Sequence, residues 1–266
     1  MKIGRETTPK TAICTSNEHT IVVRGQDLCQ DLIGQTSFTD YFLLLLTGKQ
    51  PTDAARKVVD ATLVSIAEHG FVPSVQASRM TYAAAPDALQ GAVAAGILGC
   101  GPVILGASET AGKMFVRIRT RMNDGTSLDD AALAEVQALR AERQPIPGYG
   151  HPLHKSRDPR VDALFKVARE AGANLDFIAT AEAVERAIPQ VISKELKLNV
   201  SAAIPAVLLG VDFPVSALRG IPILARTASL IAHLSEEAEQ PSGFALSYQA
   251  TQNLDYTGET PDGYSA

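Results

Sequence analysis

The densest supply of reactive side chains lies in one segment, Gln144-Pro145-Ile146-Pro147-Gly148-Tyr149-Gly150-His151-Pro152-Leu153-His154-Lys155-Ser156-Arg157-Asp158-Pro159-Arg160. Gly148 and Gly150 flank Tyr149, so the backbone can bend tightly there and turn its N–H groups toward a ligand. His151, His154, Lys155, Arg157 and Arg160 follow, supplying cationic donors for carboxylate or phosphate beside imidazoles that titrate near neutrality. By composition alone the segment fits an anion-binding loop and a solvated Pro/Gly loop equally well.

Other isolated residues carry less. His69 ends an amphipathic stretch and, taken singly, reads as structural; His19 and His233 read as structural or surface residues. Lys113, Arg117, Arg119 and Arg121 read first as a solvated helix face and second as an attractor of phosphate. Three arginines at alternate positions cannot share one helix face. Cys14, Cys29 and Cys100 are too few and too scattered for a disulfide framework or a zinc site. Cys100 sits in an apolar Gly/Ala stretch that predicts packing rather than reactivity.

The elements that must hold these residues are mostly helical. Val59, Leu63, Ile66 and Ala67 form one apolar stripe; Leu128, Ala132, Val136 and Leu139 form a second; Val161, Leu164, Phe165 and Ala168 form a third. Pro51-Thr52-Asp53, Pro86-Asp87, Gly125-Thr126-Ser127 and Asp158-Pro159 supply helix starts. Strand signals are confined to Thr20–Arg24 and the short Phe42–Leu46 run. Gln90–Gly106 is rich in Ala and Gly, which lets helices approach closely. The tail from Asn253 reads as frayed or as an arm over a partner.

Composition bounds the function. The chain has 266 residues, 45% hydrophobic and 20% charged, which excludes a disordered chain and allows one large or two small domains. A formal net charge of −5 argues against nucleic acid as a partner. No uninterrupted run of about 20 apolar residues predicts a membrane span; the richest stretch, Ala202 to Val215, is broken by Asp212 and two prolines. The N-terminus reads as lacking a signal peptide, and a reduced, cytoplasmic setting is the simplest expectation.

Pro147-Gly148-Tyr149-Gly150-His151, followed by Asp158-Pro159-Arg160, resembles the signature loop of the citrate synthase superfamily. Further segments resemble that family in order: Arg24-Gly25-Gln26-Asp27-Leu28, Phe38-Thr39 through Thr52, Glu68-His69-Gly70, Gly101-Pro102 through Gly106-Ala107, Asn199-Val200-Ser201, and Ala225-Arg226-Thr227. The short length and compact N-terminus look more like citryl-CoA lyases, including the lyase module of ATP citrate lyase, which Ala111-Gly112-Lys113-Met114-Phe115 also resembles. The resemblance implies an all-α, citrate synthase-like fold. It implies a large dimerising helical domain, residues 1–105 and 206–266, and an inserted small domain, 106–205, bearing the CoA loop. A homodimer is expected.

The resemblance also implies a carbon–carbon lyase. Its substrate would be a CoA thioester such as citryl-CoA, giving an acyl-CoA and a di- or tricarboxylate-derived oxo acid, with coenzyme A as the carrier and no metal. His151 matches the histidine that serves the hydroxyl oxygen. His69 matches the one that orients the oxo acid, and Arg160 and Arg226 match carboxylate-binding arginines; Asn199 belongs with them. Pro147, Gly148, Tyr149 and Gly150 match the adenine loop, and Lys155 a basic position near a CoA phosphate. Two family groups are replaced: Ile104 stands where the enolate-stabilising histidine is expected, and Ser201 where the catalytic aspartate is expected. A third family arginine has no clear counterpart in Gly243–Tyr256. Another CoA-ester reaction, or a non-catalytic CoA-binding dimer, is the alternative.

Overall fold

The structure is a computed structural model that describes residues 8–150 and 157–264, with the backbone alone at 102–104. His151, His154 and Lys155 lie outside the described residues, as does the side chain of Ile104.

A small antiparallel sheet, β1 (Cys14–Ser16), β2 (Ile21–Val23) and β3 (Gln26–Asp27), opens the chain in the order β1-β2-β3, with Cys14 opposite Val23 and Val23 opposite Gln26. Helices follow: α1 (Phe38–Thr47), α2 (Asp53–Ala67), α3 (Pro73–Ala84), α4 (Leu89–Leu105), α5 (Ala107–Met122), α6 (Leu128–Ala141), α7 (Pro159–Glu170), α8 (Asp176–Ile192), α9 (Val200–Leu209), α10 (Gly220–Glu239) and α11 (Gly243–Thr251). The all-α expectation holds, with the sheet as a minor addition.

The α7 stripe is buried throughout, at Val161, Leu164, Phe165 and Ala168; in α6, Ala132, Val136 and Leu139 are buried and Leu128 half-buried, and in α2, Val59 and Ile66 are buried while Leu63 and Ala67 are half-buried. Ser127 caps α6 by accepting from the Asp130 N–H at 3.2 Å, and Asp158 caps α7 through the Arg160 N–H at 3.0 Å. Phe42–Leu46 is helical rather than extended. A short apolar run fits either period, and its flanks decide: Ser37 caps α1 through the Asp40 N–H, and Gly48 closes it on the Leu44 carbonyl.

Contacts divide the chain into two compact units. Unit 1 joins Met1–Ser65 to Ala107–Leu218, and unit 2 joins Ile66–Gly106 to Arg219–Ala266. These bounds differ from the lobes expected from the sequence: the cut near residue 106 recurs, but residues 1–65 group with 107–218. In unit 1, α9 is buried on every face except at Ser201, and α5, α7 and α8 surround it. Gly112 on α5 permits this, since a Cβ there would meet Leu218 Cδ1 at 2.4 Å and Pro205 Cβ at 3.0 Å. In unit 2, α3 packs on α4, α10 and α11.

Contrary to expectation, one stretch, Val215–Glu239, is long and apolar enough by length and composition to cross a membrane, with mean hydropathy 1.3. It escapes a search for uninterrupted apolar runs because Arg219 and Arg226 punctuate it. Arg226 and Glu237 on this stretch are buried in unit 2, as on a core helix.

Candidate functional site

In unit 1 five of the predicted site residues, Gly148, Tyr149, Gly150, Asn199 and Ser201, meet at the start of α9. Asn199 caps the helix, its Oδ1 accepting from the Ser201 N–H at 2.9 Å. The same side chain reaches back, its Nδ2 donating to the Gly150 carbonyl at 2.7 Å, while the Asn199 N–H donates to the Gly148 carbonyl at 3.0 Å. Tyr149 and Leu198 form an antiparallel bridge. Gly148 has φ +85°, and a Cβ there would meet Ala202 Cβ at 2.4 Å and its backbone N at 2.7 Å. The loop thus lies directly against the first turn of α9, which only glycine allows.

This docking corrects one expectation. The Gly150 N–H donates to the Lys197 carbonyl at 2.8 Å and is not presented to a ligand. A buried donor must be paired, and the chain pairs it internally. Tyr149 likewise points inward, its hydroxyl donating to the Ala181 carbonyl at 2.7 Å. Burial pushes its phenol well above the ordinary value.

Arg160 stands at the start of α7 beside the buried Asp158. Its Nε donates to Asp158 Oδ1 at 3.0 Å and its Nη2 to Oδ2 at 2.8 Å, while Nη1 faces the Ser65 carbonyl at 3.5 Å. Burial alone would raise the Asp158 carboxyl. The Arg160 guanidinium and N–H, with the Val200 N–H, outweigh that and hold it below the usual carboxylate range. Asp158 therefore fixes Arg160 and ties α7 to α9, while Nη1 donates to the Ser65 carbonyl.

In unit 2 the predicted residues are His69 and Arg226. His69 is exposed in the turn after α2, and Arg226 is buried on α10. Glu68 organises that turn: Oε1 accepts from the His69 N–H at 2.8 Å and from the Gly70 N–H. Its other oxygen accepts from Ser229 Oγ at 2.5 Å and lies 3.0 Å from His233 Nε2. Burial pushes Glu68 up, but Ser229, the Gly70 N–H and His233 together hold it at about 2. Arg226, Ser229 and His233 fall at i, i+3 and i+7, one face of α10.

The residue that the sequence missed is Arg79. It is 1% exposed, with Nη1 donating to Glu237 at 3.0 Å and to Ser242 Oγ at 3.3 Å, Nη2 paired with Glu236, and its guanidinium 4.7 Å above the Phe71 ring. Its one local signal was its place four residues after Val75, on the buried stripe of α3.

The basic run on α5 is largely spent on ion pairs. Lys113 meets Glu109 at 2.6 Å, Arg117 and Arg121 meet Glu135 on α6, and Arg119 meets Asp176 at the start of α8. The alternate spacing sends the arginines to two neighbours. Among the described residues, no group of three or more His, Cys, Asp or Glu is placed to hold a metal.

The fold is citrate synthase-like. Citryl-CoA lyase from Hydrogenobacter thermophilus superposes with a TM-score of 0.83 at 32% identity, over 97% of this chain and 98% of that one. ATP citrate lyase from Methanothrix soehngenii, in complex with citrate and coenzyme A, shares the fold at TM-score 0.77 and 21% identity, over 99% of this chain and 44% of that one. The family model for the citrate synthase C-terminal domain matches residues 9–243, and the chain belongs to the citrate synthase family. Citrate synthase of Synechocystis sp. is 28% identical over 206 residues, 75% of this chain and 49% of that one. The chain spans about half the length of the curated relatives it matches.

Proposed function

We propose that the chain is a carbon–carbon lyase of the citryl-CoA lyase type. It would cleave a 3-hydroxyacyl-CoA such as citryl-CoA to an acyl-CoA such as acetyl-CoA and an oxo acid such as oxaloacetate. The observation that carries this reading is the near-complete, mutual coverage with a citryl-CoA lyase, 97% and 98%, against relatives named as synthases that are matched over only 49% and 54% of their length.

Cleavage is a retro-aldol reaction. His151 accepts the hydroxyl proton as the carbinol becomes the oxo carbon. The electron pair of the breaking C–C bond passes to the thioester α-carbon, and the proton returned there completes the acyl-CoA. His69 orients the oxo-acid portion. Arg160 and Arg226 bind its carboxylates, with Asn199 and Ser201 at the α9 N-terminus, where the helix dipole favours an anion. The Pro147–Gly150 loop and Lys155 serve the CoA moiety. A homodimer is part of this reading, supported by exposed Leu98 on α4 and Ile231 on α10, which leave apolar surface to cover.

The test follows oxaloacetate released from citryl-CoA. His151→Ala is expected to lose about 100-fold or more in kcat, and a rate near wild type overturns the role. Ile104 and Ser201 favour a second reading, a pocket rebuilt for another CoA ester, because the departing enolate lacks the family's donor and acid. Ile104→His with Ser201→Asp is expected to raise citryl-CoA turnover; no gain favours that second reading.

A further inference from the structure

We propose that Arg79, His233 and Glu68 form a positioning chain that sets the turn carrying His69. The proposal rests on the reading of His69 as a ligand-orienting residue.

The chain is directional. Arg79 approaches His233 Nδ1 with two N–H groups, Nη2 at 3.0 Å and Nε at 3.3 Å. A guanidinium has donors only, so Nδ1 carries the lone pair and the imidazole proton sits on Nε2. That proton points at Glu68 Oε2, 3.0 Å away. Glu68 then spends its other oxygen on the N–H groups of His69 and Gly70. Each link fixes the next, from a guanidinium buried between α3 and α10 to the backbone of the exposed turn.

The surroundings lock both ends. Phe71, two residues beyond His69, stacks under Arg79 and meets the His233 ring edge-on at 5.8 Å between centroids. Glu236, Glu237 and Ser242 take the remaining Arg79 donors, and Ser229 gives Glu68 a second donor. Both ring nitrogens of His233 are taken by Arg79 and Glu68, so its role is positional.

Amide hydrogen exchange on the full chain reads the turn without any ligand. His233→Phe keeps the ring and removes both polar links, and exchange of the His69 and Gly70 amides is expected to accelerate about tenfold. His233→Gln keeps an acceptor toward Arg79 and a donor toward Glu68, and is expected to stay within about threefold of wild type. Ser229→Ala, which leaves the Arg79 links intact, gives an intermediate increase and serves if His233→Phe does not fold. Unchanged exchange in both His233→Phe and Ser229→Ala, or a Gln variant as fast as Phe, overturns the chain.

In citryl-CoA cleavage, His233→Phe is expected to raise KM about tenfold while kcat falls less than about threefold. Faster exchange with an unchanged KM overturns the link to ligand orientation. A wild-type chain that cleaves no citryl-CoA sinks the lyase reading instead, and the exchange comparison then decides the positioning chain by itself.

Discussion

The Gly148 loop in unit 1 and the His69 turn in unit 2 are held by different means. In unit 1 the loop at Gly148, the Asn199 cap and the start of α9 are joined chiefly by main-chain groups and neutral amides. In unit 2 the His69 turn hangs from ionised or titratable side chains: Glu68, His233, Arg79, Glu236 and Glu237. Main-chain docking tolerates no added atom but is indifferent to pH. A side-chain chain tolerates volume changes better but depends on protonation state. Substitutions that add bulk should therefore hurt the Gly148 loop most, and acid should loosen the His69 turn more than that loop.

The largest effect is expected at Gly148. Gly148→Ala forces a left-handed residue and a Cβ onto the Ala202 backbone, and should cost about 3 kcal/mol or more, read by denaturant unfolding. Wild-type stability in that variant would remove the main-chain side of the comparison.

A smaller effect is expected at Glu68. Its carboxyl is held at about 2 against an ordinary 4.5, so its contribution is complete above pH 4.5 and is lost as pH falls from there toward 2. Half of the side chain faces solvent, which screens the gain to about 1 kcal/mol. Glu68→Gln should thus be less stable than wild type at pH 7 by that amount, and the gap should close in acid. A gap that stays constant between pH 7 and pH 3 contradicts this.

The smallest effect is expected at Arg119, whose pair with Asp176 is partly exposed. Arg119→Ala should change stability by no more than about 0.5 kcal/mol, with CoA affinity by calorimetry unaltered. Weakened CoA binding would restore the phosphate-attracting reading of the α5 run.

What could be read in the sequence was local. The stripes of α2, α6 and α7 and the caps at Ser127 and Asp158 depend on neighbours within one or two turns, so periodicity and capping chemistry expose them. The dense Gln144–Arg160 segment was visible because its residues are contiguous. Phe42–Leu46 was not, because five apolar residues do not distinguish a helix from a strand. The fate of the Gly150 N–H depends on Lys197, and that of Arg79 on residues 154 or more positions away. His233 reads as structural in isolation, and its coupling to Glu68 appears only once α10 crosses the turn after α2.

That separation along the chain also sets an order of events during synthesis. Arg79 is made 154 residues before His233 and 163 before Ser242. At roughly 5–20 residues per second, α3 and α4 wait roughly ten to thirty seconds for α10 to leave the ribosome. Until then the Arg79 guanidinium has none of its α10 partners and stays hydrated, so the α3–α4 surface that will enclose it cannot close. Unit 2 is completed only when its second half arrives, after the whole 107–218 segment of unit 1 has been made.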